Sequence, residues 1–185
     1  MYYAIKRWLK WELPYYPKYF VKGIKNLIRW FPIVWKDRDW DHHYIWQVMK
    51  FKISNQAEYI GTKDRHMSAK RDAEIMRLCV RLMDKIQNEY YSAEYMDYHK
   101  SRYYFVDVEG DKEVKQMKHH LLTENYDVFF AKYPLVHKAV LTTKNTPFRN
   151  DTKEGIALNI AHMNHKRAMS ILFRLMENNI HGWWD

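Results

Sequence analysis

Five glycines and five prolines in 185 residues leave this chain few of the residues that turn a backbone sharply. A β-sandwich needs turn signals every ~8–12 residues, so the count argues against an all-β sandwich. Apolar residues instead recur at spacings of three and four, the period of a helix that buries one face. The clearest run opens at Ser68 and carries Ala69, Ala73, Met76, Val80, Met83, Ile86 and Tyr90 along one side. The expectation is an all-α single domain, a helical bundle built on a long antiparallel helical hairpin with a basic aromatic N-terminal arm. The arm covers residues 1–36 and the helical core 37–185.

Element by element, residues 2–12 read as a short amphipathic helix stopped by Pro14 and Pro17, and 18–31 as a second ending at Pro32, which disfavours helix in the residue before it. Asp39 is the expected N-cap of a helix with Ile45, Val48, Met49, Lys52, Gln56 and Tyr59 on one face, ending at Gly61. After the Ser68 helix, YYFVDVEGD at 103–111 reads as a short strand or extended connector, because β-favouring residues precede a turn glycine. Helix is expected again over 112–125, around 128–132, and from Pro134 to Leu141. TTKNTPFRND is a loop by composition. Asp151 with Glu154 then resembles a capping box. It opens a last helix to about Asn179, with Ile156, Ile160, Met163, Arg167, Ile171 and Leu175 along a face.

Charge is unevenly placed. Of a net +9, residues 1–36 carry +7, from Lys6, Arg7, Lys10, Lys18, Lys22, Lys25, Arg29 and Lys36 against Glu12. Six of the eight tryptophans, Trp8, Trp11, Trp30, Trp35, Trp40 and Trp46, lie in the same quarter of the chain. Such an excess points to an anionic partner. The opening residues lack a signal-peptide apolar run, no stretch of about 18 apolar residues occurs, and the single Cys79 excludes a disulfide scaffold. The expected surroundings are cytosolic. Cys79, beside Leu78 and Val80, reads as a core thiol.

The segment Phe31 to Tyr44 concentrates the chemistry. Tryptophan faces stack on nucleobases at ~1–3 kcal/mol per base, and Lys and Arg pair with phosphate oxygens, while a helix N-terminus offers N–H donors. The expected ligand-binding residues are Arg29, Trp35, Lys36, Arg38, Trp40 and His43. The competing reading gives Asp39 and Asp41 to helix capping and the tryptophans to packing. Arg38 to His43 also matches Arg-x4-His and so resembles the motif of the HEPN family of all-α ribonucleases. That resemblance implies a histidine exchanging protons at a scissile phosphate and an arginine steadying its charge.

Elsewhere the patterns are thinner. His162 and His165 share one side of the last helix, half of a metal site at most. Glu94 and Asp97 have the spacing of a carboxylate pair without its Glu-x-x-Glu partner. The basic N-terminal helix could lie on an anionic membrane, which is the disfavoured option beside docking on the core. No cofactor is expected.

WKDRDWD at 35–41, a helical hairpin after it, and the ending NHKRAMSILFRLMENNIHGWWD make the chain resemble small proteins encoded by tailed bacteriophages. The resemblance implies a phage origin and the cytoplasm of the infected host, and no particular activity. A basic, aromatic-rich phage protein without catalytic machinery suits antagonism of host immunity, by sequestering a cyclic oligonucleotide or a cyclic ADP-ribose derivative. The alternatives are a nucleic-acid-binding phage protein, a HEPN-like ribonuclease and a virion structural protein. Exposed tryptophan and tyrosine surfaces also predict a homo-oligomer.

Overall fold

A computed structural model describes residue 6 and residues 15–38, 40–64, 66–108 and 111–183. The chain divides into two compact units, 1–52 and 53–185, a division that falls beyond the arm boundary expected at residue 36. The helix expected over 2–12 and the Asp39 cap lie outside the described residues.

In the first unit, α1 spans Tyr16–Val34. Pro17 sits in its first turn, where the missing N–H had no intrahelical partner to lose. Pro32 does not end the helix: it lies inside α1, correcting the boundary expected at residue 31. So close to the C-terminus it forfeits a single helical hydrogen bond. The chain closes with Trp35 N–H donating to the Phe31 carbonyl at 2.9 Å. Helix α2, His43–Lys63, begins in this unit. Trp30 meets Phe51 edge-on, ring centroids 4.8 Å apart, and ties α1 to the first half of α2.

In the second unit, the end of α2 runs beside α3, Ala69–Gln87, with Gly61 opposite Ala73 and residues 54–58 opposite 77–81, the register of an antiparallel pair. Gly61 does not terminate α2. A Cβ there would lie 3.2 Å from that of Ala73, so glycine lets the two helices approach closely. The stop comes at Asp64, whose φ of 45° is left-handed. On α3 the expected face is buried at Ala69, Ala73, Met76, Met83 and Ile86, with Cys79 and Asp72 beside it. Burial pushes the Cys79 thiol up to about 11, as a core thiol requires. Ser68 gives no side-chain cap to α3; its hydroxyl donates to Asp72 Oδ2 at 2.7 Å, and His66 Nε2 lies 3.1 Å from the same oxygen.

A short helix α4, Tyr90–Ala93, and a 3-10 turn, Glu94–Tyr98, lead to a two-stranded antiparallel sheet. Its strands are β1, Lys100–Val108, and β2, Asp111–Leu122. The fold is therefore mostly helical and not purely all-α, and the helix expected over 112–125 is a strand for most of its length. The spacing of Val114, Met117, Leu121 and Leu122 satisfies a helix, but β1 is rich in strand formers and its backbone N–H and C=O groups need a partner. The next residues supply it, with Tyr103 opposite His119 and Phe105 opposite Met117.

Helices α5, Asn125–Lys132, and α6, Pro134–Thr142, follow as expected, and residues 143–152 form a loop. The long helix α7, Lys153–Asn179, packs against α3, α4, α5 and α6. Its cap is Thr152, not Asp151: the Thr152 side chain accepts from Gly155 N–H at 3.1 Å, while Asp151 pairs with Arg149. The buried face is Ala157, Ile160, Ala161, Asn164, Ala168 and Leu172, turned from the expected line through Met163, Arg167 and Ile171. Small residues let a helix with neighbours on several sides sit close to each.

One core cluster joins Tyr126, Phe129, Phe130, Val140, Ala157 and Ile160. Tyr126 OH lies 2.6 Å from His99 Nδ1. Burial first, then the Glu154 and Tyr95 charges, pushes the Tyr126 hydroxyl up to about 12; burial and the bond to Glu94 do the same for Tyr133. Both rings are thus held neutral in the fold, against a usual value near ~10. Their contribution is complete below about pH 10 and is lost as pH rises toward about 12. Urea titrations across that range should show stability falling, and falling less steeply in Tyr126→Phe.

Candidate functional site

The turn between α1 and α2 is built by successive short backbone bonds. Lys36 N–H donates to Ile33 carbonyl, Asp37 to Val34 and Asp41 to Arg38, at 3.3, 3.1 and 2.9 Å. These bonds turn the chain ahead of α2, where a cavity of about 570 Å³ lies. That volume lies within the ~300–1,000 Å³ range of small-molecule sites. Arg38, Trp40, Asp37, Asp41, His42 and Tyr44 line it, over a floor of Ile45, Val48 and Met49.

Two of the six expected ligand residues, Arg38 and Trp40, therefore meet in one cavity. Trp40 is 84% exposed, its ring open to a stacking partner. Arg38 directs one guanidinium N–H to the Asp37 carbonyl, at 3.0 Å. Trp35 is not in the lining; it leans on Phe31, centroids 5.1 Å apart, and is 72% exposed. Lys36 also lies outside the lining, as does Arg29, which sits on α1. His43 is displaced from the lining by His42, and Gln47 Nε2 donates to His43 Nε2 at 3.0 Å.

The N–H donors expected at this helix start are already engaged. Asp41 Oδ1 accepts from His43 N–H at 2.8 Å, and the carbonyls of Asp41 and His42 accept from Tyr44 and Ile45. Asp41 thus caps the start of α2, as the competing reading of the sequence has it. A phosphate here would rest on the Arg38 side chain and not on the helix terminus. The carboxylates of Asp37 and Asp41 suit the N–H-rich edge of a base better than an anion.

Sequence reasoning missed Tyr44, His42 and the apolar floor. Ile45, Val48 and Met49 carry helical spacing and read as core, yet Ile45 and Val48 are exposed. What marked them was position: they share the α2 face that follows directly from Trp40 and Asp41.

Of the remaining candidates, Glu94 and His162 have structural partners. Glu94 is buried and bonded to Lys132 Nζ and Tyr133 OH, the first of which raises the lysine. The ring of His162 meets Phe148 edge-on at 6.3 Å. Among the described residues no group of three or more His, Cys, Asp or Glu is placed to hold a metal ion. Nor, among them, is any helix long and apolar enough to cross a membrane. Of the closing Trp-Trp-Asp, Trp183 is buried and its carbonyl accepts from Gln56, while residues 184 and 185 lie outside the described part. Compared with protein-family models, curated proteins and solved structures, the chain matches none.

Proposed function

We propose that this protein is a non-enzymatic binder that sequesters a nucleotide-derived anion, of the cyclic oligonucleotide or cyclic ADP-ribose type, at the α1–α2 turn. In the phage setting that the sequence resemblance implies, the consequence is antagonism of a host immune signal. One observation supports the reading above the rest: Trp40 and Arg38 share a cavity of about 570 Å³ with the apolar floor on α2. A base stacks on the indole, the guanidinium takes a phosphate oxygen, and Asp37 or Asp41 accepts from the base edge. The HEPN-like reading has less support, because Arg38 lines the cavity and His43 does not.

A specific feature favours nucleic acid as the second reading. Lys18, Lys22, Lys25 and Arg29 follow spacings of four, three and four on α1, which aligns them in one stripe leading toward Lys36 and Arg38. Their rise of ~5–6 Å per step suits a run of backbone phosphates.

Isothermal calorimetry with a cyclic dinucleotide and with cyclic ADP-ribose, beside fluorescence anisotropy with oligothymidylates of increasing length, tests both. Sequestration predicts saturation at one small molecule per site with modest salt dependence. Affinity that grows with oligonucleotide length and falls steeply with salt would move the assignment to nucleic acid. Silence in both arms from folded protein would dispose of the site.

A further inference from the structure

No described residue in 15–52 is buried; among the described residues the first buried position is Ile53. The unit nonetheless holds a 19-residue amphipathic helix, and a helix with a wide apolar face requires something to cover it. Phe20, Ile24, Leu27 and Phe31 repeat the spacing of the cationic stripe two residues later, which places them about 200° around α1 from it. Ile28 and Trp35 extend the same arc. Trp30 lies on the flank toward Phe51, so α2 of the same chain occupies that side.

We infer that α1 pairs with α1 of a second copy, two α1–α2 hairpins closing on one another as a four-helix bundle. Charge placement selects this occupant. On an anionic bilayer, apolar face down, the stripe of Lys18, Lys22, Lys25 and Arg29 would point away from the headgroups. Interfacial helices gain from cations at the headgroup level, and this arrangement forgoes that gain. Between two copies the same stripes face outward on opposite sides of a helix pair, each helix ~10 Å across. That separation exceeds the ~8 Å screening length, so the repulsion is largely screened. The six apolar side chains offer roughly 600–700 Å² per copy, close to the ~800 Å² per partner of a stable interface. The pairing leaves the cavity at the α1–α2 turn outside the apolar arc, and it stands independently of the ligand proposed there.

Sedimentation equilibrium of the full chain at micromolar concentration tests the pairing. The wild type should sediment at twice the 22.9 kDa chain mass. Phe20→Glu and Leu27→Glu should each weaken the dimer by at least about thirtyfold, the loss typical of a central interface residue. Because neither side chain is buried in its own chain, far-UV circular dichroism should stay near wild type. Lys22→Glu, on the stripe, should keep the dimer. A wild type at monomer mass overturns the inference, as does a dimer that survives both glutamate variants. A monomer that co-sediments with phosphatidylserine vesicles through Phe20 and Leu27 also overturns it and assigns the face to lipid.

Discussion

Replacing Asn159 with leucine should destabilise the second unit by about 2–3 kcal/mol, read as a fall of roughly 5–10 °C in the thermal midpoint. Asn159 is 1% exposed on α7, and its amide organises the loop before it. Its Oδ1 accepts from Phe148 N–H at 3.1 Å, and its Nδ2 donates to the Phe148 carbonyl at 2.9 Å and to Asn150 Oδ1 at 2.7 Å. Asn150 in turn donates to the Val140 carbonyl at 3.1 Å, so one side chain links α7, the loop and α6. Leucine keeps the branching of the side chain, is larger, and strands these groups. Asn159→Asp should cost at least as much, because a carboxylate has no donor for the Phe148 carbonyl or the Asn150 oxygen. An unchanged midpoint in both variants would show that the loop is held by something else.

The second large effect is expected at Gly155. An added Cβ would stand 1.8 Å from the carbonyl oxygen of Arg149 and 3.1 Å from Thr152 Oγ1, the cap of α7. The first obstacle is backbone and cannot swing aside, so Gly155→Ala must open the turn or break the cap. The cost should be about 3 kcal/mol, despite the ~1 kcal/mol by which alanine is the better helix former. Gly23→Ala is the matched control: nothing lies within 4 Å of a Cβ there, so the same substitution should leave stability unchanged or raise it. Equal melting of the two variants would remove the steric account.

How much of this was readable beforehand depends on whether a local pattern had one solution. The α3 face was legible because Ala69, Ala73, Met76, Met83 and Ile86 are apolar at one period and flanked by charge. Pro134 and the loop after Leu141 announce themselves by backbone chemistry. Residues 112–125 were misread because the same apolar spacings serve either element, and the choice is made by a remote partner, the strand at 100–108. The face of α7 was misassigned for a related reason. Ala157, Ala161 and Asn164 carry little hydrophobic signal, yet they are what a helix surrounded by neighbours buries.

At the candidate site, residue types were legible and geometry was not. Trp40 and Arg38 were singled out by chemistry, and the structure seats them together. Trp35, Lys36, Arg29 and His43 carry the same chemistry, but the fold leaves them out of the cavity lining. The difference lies in how the turn closes, through bonds such as Asp41 N–H to the Arg38 carbonyl, which no composition reveals. Asp41 is a capping residue in the competing reading of the sequence, and its Oδ1 accepts from His43 N–H in that role, which leaves Oδ2 to face the cavity.

The central claim is that Trp40 and Arg38 hold one nucleotide between them. The most direct test is calorimetric titration of wild type, Trp40→Ala and Arg38→Ala with a cyclic dinucleotide and with cyclic ADP-ribose. Both side chains are exposed, so the variants should fold like wild type. The account predicts one-site binding of at least one of these molecules. Trp40→Ala should weaken it at least about tenfold, as the loss of a stacked base implies. Arg38→Ala should weaken it by a similar factor through the lost charged contact. Binding that is untouched by either substitution, or no binding of either nucleotide, would contradict it.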